Sequence, residues 1–67
     1  MFSVEKMTYD PHVVEWETKE FNTLEEATER FIEWIKEEKV VKCHVYYYDK
    51  YAEPHDVLTY EKPRTKQ

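Results

Sequence analysis

The chain begins with two stretches in which hydrophobic and polar residues alternate, and a short turn separates them. The first is FSVEKMTYD (2–10) and the second is VVEWETKEF (13–21). Alternation of this kind predicts β-strands, because successive side chains of a strand point to opposite sides. DPH (10–12) between them suits a type I turn, which favours aspartate at its first position and proline at its second. The second strand carries two alternating sets, Val14, Trp16 and Thr18 on one side and Glu15, Glu17 and Lys19 on the other.

A three- to four-residue periodicity then replaces the alternation and predicts a helix. TLEE (23–26) has the Thr-x-x-Glu pattern of a capping box, in which two side chains satisfy backbone N–H groups of the first turn. We expect this helix to end near Lys39 without a glycine cap. Its hydrophobic face is formed by Leu24, Ala27, Phe31 and Ile35, flanked by Ile32 and Trp34. Its opposite face carries Glu26, Glu29, Glu33 and Glu37.

Alternation returns in VVKCHVYYYDKY (40–51), which predicts a third strand. AEPH (52–55) forms a connection, and DVLTYE (56–61) predicts a last strand. Either face of that last strand can be the buried one, because Leu58 and Tyr60 compete with Val57 and Thr59. In the third strand, the natural core set is Val41, Cys43, Val45 and Tyr47, and the opposite, open set is Lys42, His44, Tyr46 and Tyr48.

The order ββαββ predicts an α+β fold, a four-stranded antiparallel sheet with one helix packed on one face. The other face of the sheet has nothing in the chain to cover it. We expect residues 1–61 to form a single acidic domain and residues 62–67 a short, flexible basic tail that holds Lys62, Arg64 and Lys66.

Length and composition narrow the classes of protein that the chain can represent. A chain of 67 residues has a thin core. It has no glycine, which excludes a glycine-rich phosphate-binding loop. Its one cysteine, Cys43, cannot form an internal disulfide, and a lone thiol suits a reducing compartment. With no apolar run of roughly 18 residues and no signal-peptide pattern at the N-terminus, we expect a cytoplasmic protein without a membrane segment.

The residues that could carry chemistry do not form a catalytic or metal-binding pattern. Cys43 and His44 are neighbours on one strand, so their side chains point to opposite faces and cannot act as a nucleophile and its base. His12 and His55 lie in separate loops, without the close Cys or His pairs that are typical of zinc sites. The carboxylates lie on solvated surfaces, where general acid–base chemistry is disfavoured. We therefore expect no catalytic residue, no metal, no cofactor and no enzymatic activity.

Eleven aromatic residues are more than so small a core can enclose, and some of them should lie on the open face. One interpretation is a platform that stacks the bases of single-stranded nucleic acid. Another is a protein interface, including a plain homodimeric one, and a third is that the tyrosines only shield the sheet from water. We expect Glu15, Glu17 and Lys19 to frame this patch, and that acidic frame favours a protein over nucleic acid. The predicted patch consists of His44, Tyr46, Tyr48 and Tyr60.

The formal charge is also informative. Residues 1–61 hold all 15 acidic residues and seven of the ten basic ones, a charge of −8, which argues against direct binding of nucleic acid. Most glutamate-rich helix faces are only solvated surfaces. A rigid array of carboxylates can also imitate the phosphates of a duplex and attract a basic DNA-binding groove. The residues that would form this array are Glu15, Glu17, Glu26, Glu29, Glu33 and Glu37.

In composition and predicted architecture the whole chain resembles the small host-takeover proteins of bacteriophages, including DNA mimics that block nucleoid proteins such as HU. The resemblance implies a non-enzymatic inhibitor that occupies the basic groove of a host DNA-binding protein. It also implies a place in the host-cell cytoplasm, if the chain is encoded by a phage. With the open face, it favours a homodimer.

Overall fold

The computed structural model describes residues 1–63 and confirms the predicted α+β fold with ββαββ order. Within that range, four antiparallel strands form one sheet in the spatial order β2-β1-β3-β4. Of the predicted basic tail, Arg64 and Lys66 lie outside the described residues. The elements are β1 (Phe2–Asp10), β2 (Val13–Phe21), α1 (Leu24–Ile35), β3 (Val40–Tyr48) and β4 (Pro54–Glu61).

The predicted helix start is confirmed. Thr23 has an extended backbone and its Oγ1 accepts a hydrogen bond from the backbone N–H of Glu26, at 3.2 Å. The same hydroxyl lies 3.2 Å from a carboxylate oxygen of Glu26. One side chain therefore satisfies a backbone donor that the first turn of any helix leaves without a partner.

The predicted helix end is wrong by four residues, because α1 ends at Ile35 and not near Lys39. The backbone N–H of Lys36 bonds to the carbonyl of the residue three positions earlier, and Glu37 does the same. Such bonds tighten the last turn and let the chain leave the helix axis. Glu37 therefore lies in the loop after α1, one turn beyond the helical stripe to which it was assigned.

The core lies between α1 and the two central strands, β1 and β3. The helix contributes its predicted inner face, and the two strands contribute small or branched side chains. The sheet edge is different, since the side chains of β2 are exposed from Val13 to Glu20 and only Phe21 packs against the core. The buried hydrophobic residues are Val4, Ala27, Phe31, Trp34, Val40, Cys43 and Val45.

Two irregularities in strand pairing shift the predicted faces of β3 and β4. Between β1 and β3 the register changes so that Thr8 pairs with Val40, and Val41 is the extra residue. Val40 is consequently fully buried, whereas Val41, which we predicted for the core, is only half-buried. A second register shift follows Val45 in the pairing with β4. Such bulges place two residues of one strand opposite one of its neighbour.

The predicted open-face position of Tyr60 is wrong. In an antiparallel pair, residues directly opposite each other share a face of the sheet. Tyr60 is opposite the buried Cys43, and Leu58 is opposite the buried Val45. Both side chains pack against the core from the helix side, which settles the competition in the last strand. That strand also begins at Pro54, two residues before the predicted start.

The prediction that Glu15, Glu17 and Lys19 of β2 frame the tyrosine patch is also wrong. Lys6 lies on the helix side, and Glu17 is opposite it. Glu15, Glu17 and Lys19 therefore lie on the helix side, away from the tyrosines. The other set has the alternation that is typical of a core face, but it lies on the open face; it consists of Val14, Trp16 and Thr18. Because α1 packs on the opposite face of the sheet, this set remains exposed.

Candidate functional site

Two surfaces of the molecule are candidates for function. The first is the acidic surface, which comprises Glu15, Glu17, Glu26, Glu29, Glu33 and Glu37. The second is the open face, the side of the sheet that α1 does not cover. Their geometry differs, and each is described from its contacts.

Lys6 joins two parts of the acidic surface. Its ammonium group lies 2.9 Å from a carboxylate oxygen of Glu37 and 3.6 Å from one of Glu17. The side chain of Lys6 is only 12% exposed, and its nitrogen lies 4.6 Å from the centroid of the Trp34 ring. This largely covered lysine therefore holds the edge strand β2 next to the loop that follows the helix.

Glu26, Glu29 and Glu33 line one shallow groove on the helix, together with Phe21 and Arg30. Arg30 pairs with Glu33 at 3.2 Å, and its guanidinium lies 5.6 Å from the Phe21 ring centroid. The arginine thus covers the apolar end of β2 and neutralises part of the charge of the helix.

Glu15 and Glu37 line a second groove with Thr8, Asp10 and Lys39. Together with the Lys6 contacts, the two grooves place all six glutamates in a band along the β2 side of α1. Glu17, Glu33 and Glu37 have basic partners, whereas among residues 1–63 no ion pair involves Glu15, Glu26 or Glu29. The band therefore keeps a negative charge that is not compensated by neighbouring side chains.

Three of the four residues predicted for the open face lie there, and they form a ladder along β3. The rings of His44 and Tyr46 are 4.9 Å apart between centroids, and those of Tyr46 and Tyr48 are 5.6 Å apart, nearly perpendicular. Desolvation raises the pKa of the Tyr46 hydroxyl, and the negative charge of Glu5 acts in the same direction. The rings pack against one another, so their faces are only partly available for stacking on a base.

His44 lies between two carboxylates of the open face. Its Nε2 is 2.8 Å from Glu5 Oε1, and its Nδ1 is 3.4 Å from Asp56 Oδ1. The second oxygen of Glu5 accepts a hydrogen bond from the Thr18 hydroxyl, at 3.1 Å. These contacts connect β1, β2, β3 and β4 across the sheet, which is a structural role for the histidine.

A further hydrophobic cluster lies on the open face, and the sequence does not predict it there because the pattern of β2 is typical of a core strand. Met7 is opposite Trp16 and Tyr9 is opposite Val14, so these four side chains share the open face at one end of the hairpin. Trp16 is 58% exposed and borders a groove of about 340 Å³ whose floor includes His44. This exposure follows from the open face, which α1 does not cover, and from the position of β2 at the edge of the sheet.

The connection between β3 and β4 is organised by Asp49. Its Oδ1 accepts hydrogen bonds from the backbone N–H groups of Tyr51 and Glu53, at 2.8 and 3.0 Å. Its Oδ2 lies 2.7 Å from His55 Nε2, and the His55 ring stacks on Tyr47. The hydrogen bond with His55, followed by that with the Glu53 N–H, lowers the pKa of the Asp49 carboxyl. His55, one of the scattered metal candidates, therefore orders a turn.

Cys43 has the environment of a structural thiol. It is 2% exposed beneath the helix, and burial raises the pKa of its thiol to about 11. Its strand neighbour His44 lies on the other face of the sheet, as the sequence predicts. The neutral thiol is therefore the dominant form at physiological pH, and it is a poor nucleophile.

Within residues 1–63, no group of three or more His, Cys, Asp or Glu side chains is arranged to hold a metal ion. In the same range, no helix is both long and apolar enough to cross a membrane. Comparison of the chain with models of known protein families, with curated proteins and with solved structures found no match.

Proposed function

We propose that this chain is a non-enzymatic binding protein whose acidic surface imitates the phosphates of DNA and occupies the basic groove of a DNA-binding host protein. The observation that supports this proposal best is that all six glutamates lie on the helix side of the molecule, on the helix, the following loop and β2. The resemblance to phage host-takeover inhibitors is consistent with it.

The spacing of the charges has the right order of magnitude. Glu26, Glu29 and Glu33 are three and four residues apart on one helix, which places them at steps of about 4.5 and 6 Å along its axis. One strand of a DNA duplex presents a phosphate about every 3.4 Å. A groove that follows a phosphate chain therefore meets carboxylates at a similar interval.

The band is also held rigidly, which lowers the entropic cost of binding. The helix is fixed by its cap and its buried inner face, and Lys6 ties the loop to β2. Preorganised charges lose less side-chain freedom on association than flexible ones do. Their field also steers a basic partner during encounter, and salt weakens that steering.

Charge reversal at the unpaired positions tests the proposal. The probe is the nucleoid protein HU, titrated at low and high salt with and without competing duplex DNA. Glu15→Lys combined with Glu29→Lys should weaken binding at least about tenfold, because it replaces two attractive charges by repulsive ones. The matched control, Glu53→Lys with Glu61→Lys, changes the net charge equally but leaves the acidic surface intact. Equal loss in both double variants, or no binding by the parent, contradicts the proposal.

A second candidate function rests on the ladder of His44, Tyr46 and Tyr48, because single-strand-binding sheets also present aromatic side chains in a row. The neighbouring carboxylates of Glu5 and Asp56 oppose it, since they repel phosphates. Fluorescence anisotropy with a short single-stranded oligonucleotide at low salt distinguishes the two functions. Binding that is lost in Tyr46→Ala supports the platform, and absence of binding eliminates it.

A further inference from the structure

The open face exposes several large hydrophobic side chains. Tyr9, Val14, Trp16 and Tyr48 lie on it, and each is between 50 and 58% exposed. Contiguous apolar patches on so small a protein usually mark a surface that contacts another molecule. This patch is separate from the acidic surface, which lies on the helix side.

The size of the open face approaches that of an interface between two proteins. Three of its strands have nine residues and the fourth has eight. At about 3.3 Å per residue and about 4.8 Å between strands, the face measures roughly 30 by 19 Å, or about 570 Å² in projection. Side chains add relief to that projected area, and a stable interface buries about 800 Å² of accessible surface per partner.

The charges of the open face favour a copy of the same chain over a basic partner. Glu5 and Asp56 both contact His44, and Glu61 lies 3.8 Å from the ammonium group of Lys42. These three acids thus have cationic or hydrogen-bonding neighbours on the same face, and Glu20, at its edge, is the one acid of the face without an ion pair among residues 1–63. Partly compensated charges reduce the repulsion between two identical faces and weaken the attraction for a basic protein.

We propose that a second copy of this chain covers the open face, with Trp16 as the main anchor. Two sheets packed face to face lie about 10 Å apart and interdigitate their side chains. A two-fold axis lets the same patch serve both partners. Large aromatic side chains in such a patch provide most of the binding energy. The cluster of Met7, Tyr9, Val14 and Trp16 carries the contact, and the tyrosine ladder lies beside it.

The dimer also compensates for the thin core of the single chain. Among residues 1–63, only seven hydrophobic side chains are buried. Small domains often gain stability by association, since a second subunit removes further apolar surface from water. The two helices would then form the outer layers of a structure with two sheets at its centre.

Sedimentation equilibrium over a wide concentration range tests the dimer in the intact protein. The parent chain should show a monomer–dimer equilibrium, and Trp16→Glu should raise the dimer dissociation constant at least about 100-fold, as loss of a central aromatic anchor does. The matched control is Ile32→Glu, on the exposed side of α1, which is 44% exposed and lies off the sheet. Glu15→Lys with Glu29→Lys should also leave the dimer intact, so this test is independent of binding to HU.

Tryptophan fluorescence provides a second measurement on the unaltered chain. Trp34 is 5% exposed and Trp16 is 58% exposed, so acrylamide should quench only Trp16 in the monomer. Quenching should decrease as the protein concentration rises, and a Trp16→Phe variant should show no such change. The proposal is overturned if the parent chain stays monomeric up to millimolar concentration, which leaves the face to a different partner. It is also overturned if Trp16→Glu dimerises like the parent or if Ile32→Glu disrupts the dimer equally.

Discussion

The hydrophobic side chains on the two faces of the sheet differ in their burial. Beneath the helix, the sheet contributes small or branched residues such as Val4, Cys43 and Val45, and all of them are buried. On the open face, the hydrophobic residues are large, and Trp16 and Tyr48 remain more than half exposed. One face is a finished core, whereas the other keeps large hydrophobic side chains in contact with solvent.

The width of one helix explains this difference. An α-helix with its side chains is about 10 Å across, and neighbouring strands are about 4.8 Å apart, so a single helix covers two strands. Here those strands are β1 and β3, at the centre of the sheet. Of the edge strand β2, only Phe21 packs against the core, and the residues from Val13 to Glu20 are exposed on both faces. Position in the sheet, more than hydrophobicity, thus determines which side chains are buried.

The two tryptophans give the largest expected contrast between the faces. Trp34→Ala should lower the free energy of unfolding by about 3–5 kcal/mol, because it leaves a large cavity beneath the helix. It also removes the ring over which Lys6 lies. Trp16→Ala should cost well under about 1 kcal/mol in the monomer, as is usual for exposed sites. Urea denaturation of both variants, at concentrations that keep the chain monomeric, measures the difference.

Two outcomes would contradict the comparison. If both substitutions destabilise the monomer equally, Trp16 contributes to a core that the exposed fractions do not show. If Trp34→Ala has little effect, the space between α1 and the sheet is not well packed. A cost for Trp16→Ala that grows with protein concentration agrees with the dimer, because binding of a second copy stabilises the folded chain.

Local signals in the sequence predict most of the fold. The bounds of β1 and β2 and the helix cap at Thr23 agree with the structure, because alternation and capping chemistry are properties of short segments. The strand faces are harder, since Val14, Trp16 and Thr18 have the same pattern whether a helix covers them or not. The helix end is also difficult to predict, because no glycine or proline marks where the chain leaves the axis after Ile35.

The sequence predicts the acidic surface better than the open face, because a local pattern determines the helix stripe but not the strand faces. The helix carries three of the six glutamates at fixed spacing, so their common stripe follows from its period, whereas Glu37 lies beyond its end. Tyr60 and the Trp16 cluster depend on which face of an edge strand meets the helix. That choice depends on the register between strands and on its bulges, and a single sequence does not contain this information.

Burial of Cys43 on the covered face provides a second, smaller effect, a dependence of stability on pH. Burial holds its pKa at about 11 in the folded chain, above the value of 9.0 for a free thiol. A group that holds its proton more tightly when folded stabilises the fold fully below the unfolded pKa and loses that contribution as pH rises. Stability should therefore fall between about pH 9 and pH 11, by up to roughly 2–3 kcal/mol from this thiol.

Comparison with Cys43→Ala isolates the contribution of this thiol from those of all other groups in the chain. The variant loses some packing at neutral pH, and that loss is independent of pH. The difference in unfolding free energy between parent and variant should hence shrink as pH rises from 9 to 11. A constant difference across this range would mean that the thiol ionises equally well in the folded and unfolded chains.

The two alanines of the chain provide the smallest contrast, and it separates backbone conformation from packing. Ala52 lies in the exposed β3–β4 connection with a φ of 63°, a left-handed conformation that costs a residue with a Cβ about 1–2 kcal/mol. Ala52→Gly removes that cost but gives the unfolded chain about 0.4–1 kcal/mol of extra entropy, so a net gain of up to about 1 kcal/mol is expected. Ala27→Gly, in the helix against the sheet, should instead destabilise by about 1 kcal/mol or more. The urea midpoint should therefore rise for Ala52→Gly and fall for Ala27→Gly. Opposite shifts would show that this glycine-free chain keeps a strained turn at Ala52, outside both faces of the sheet.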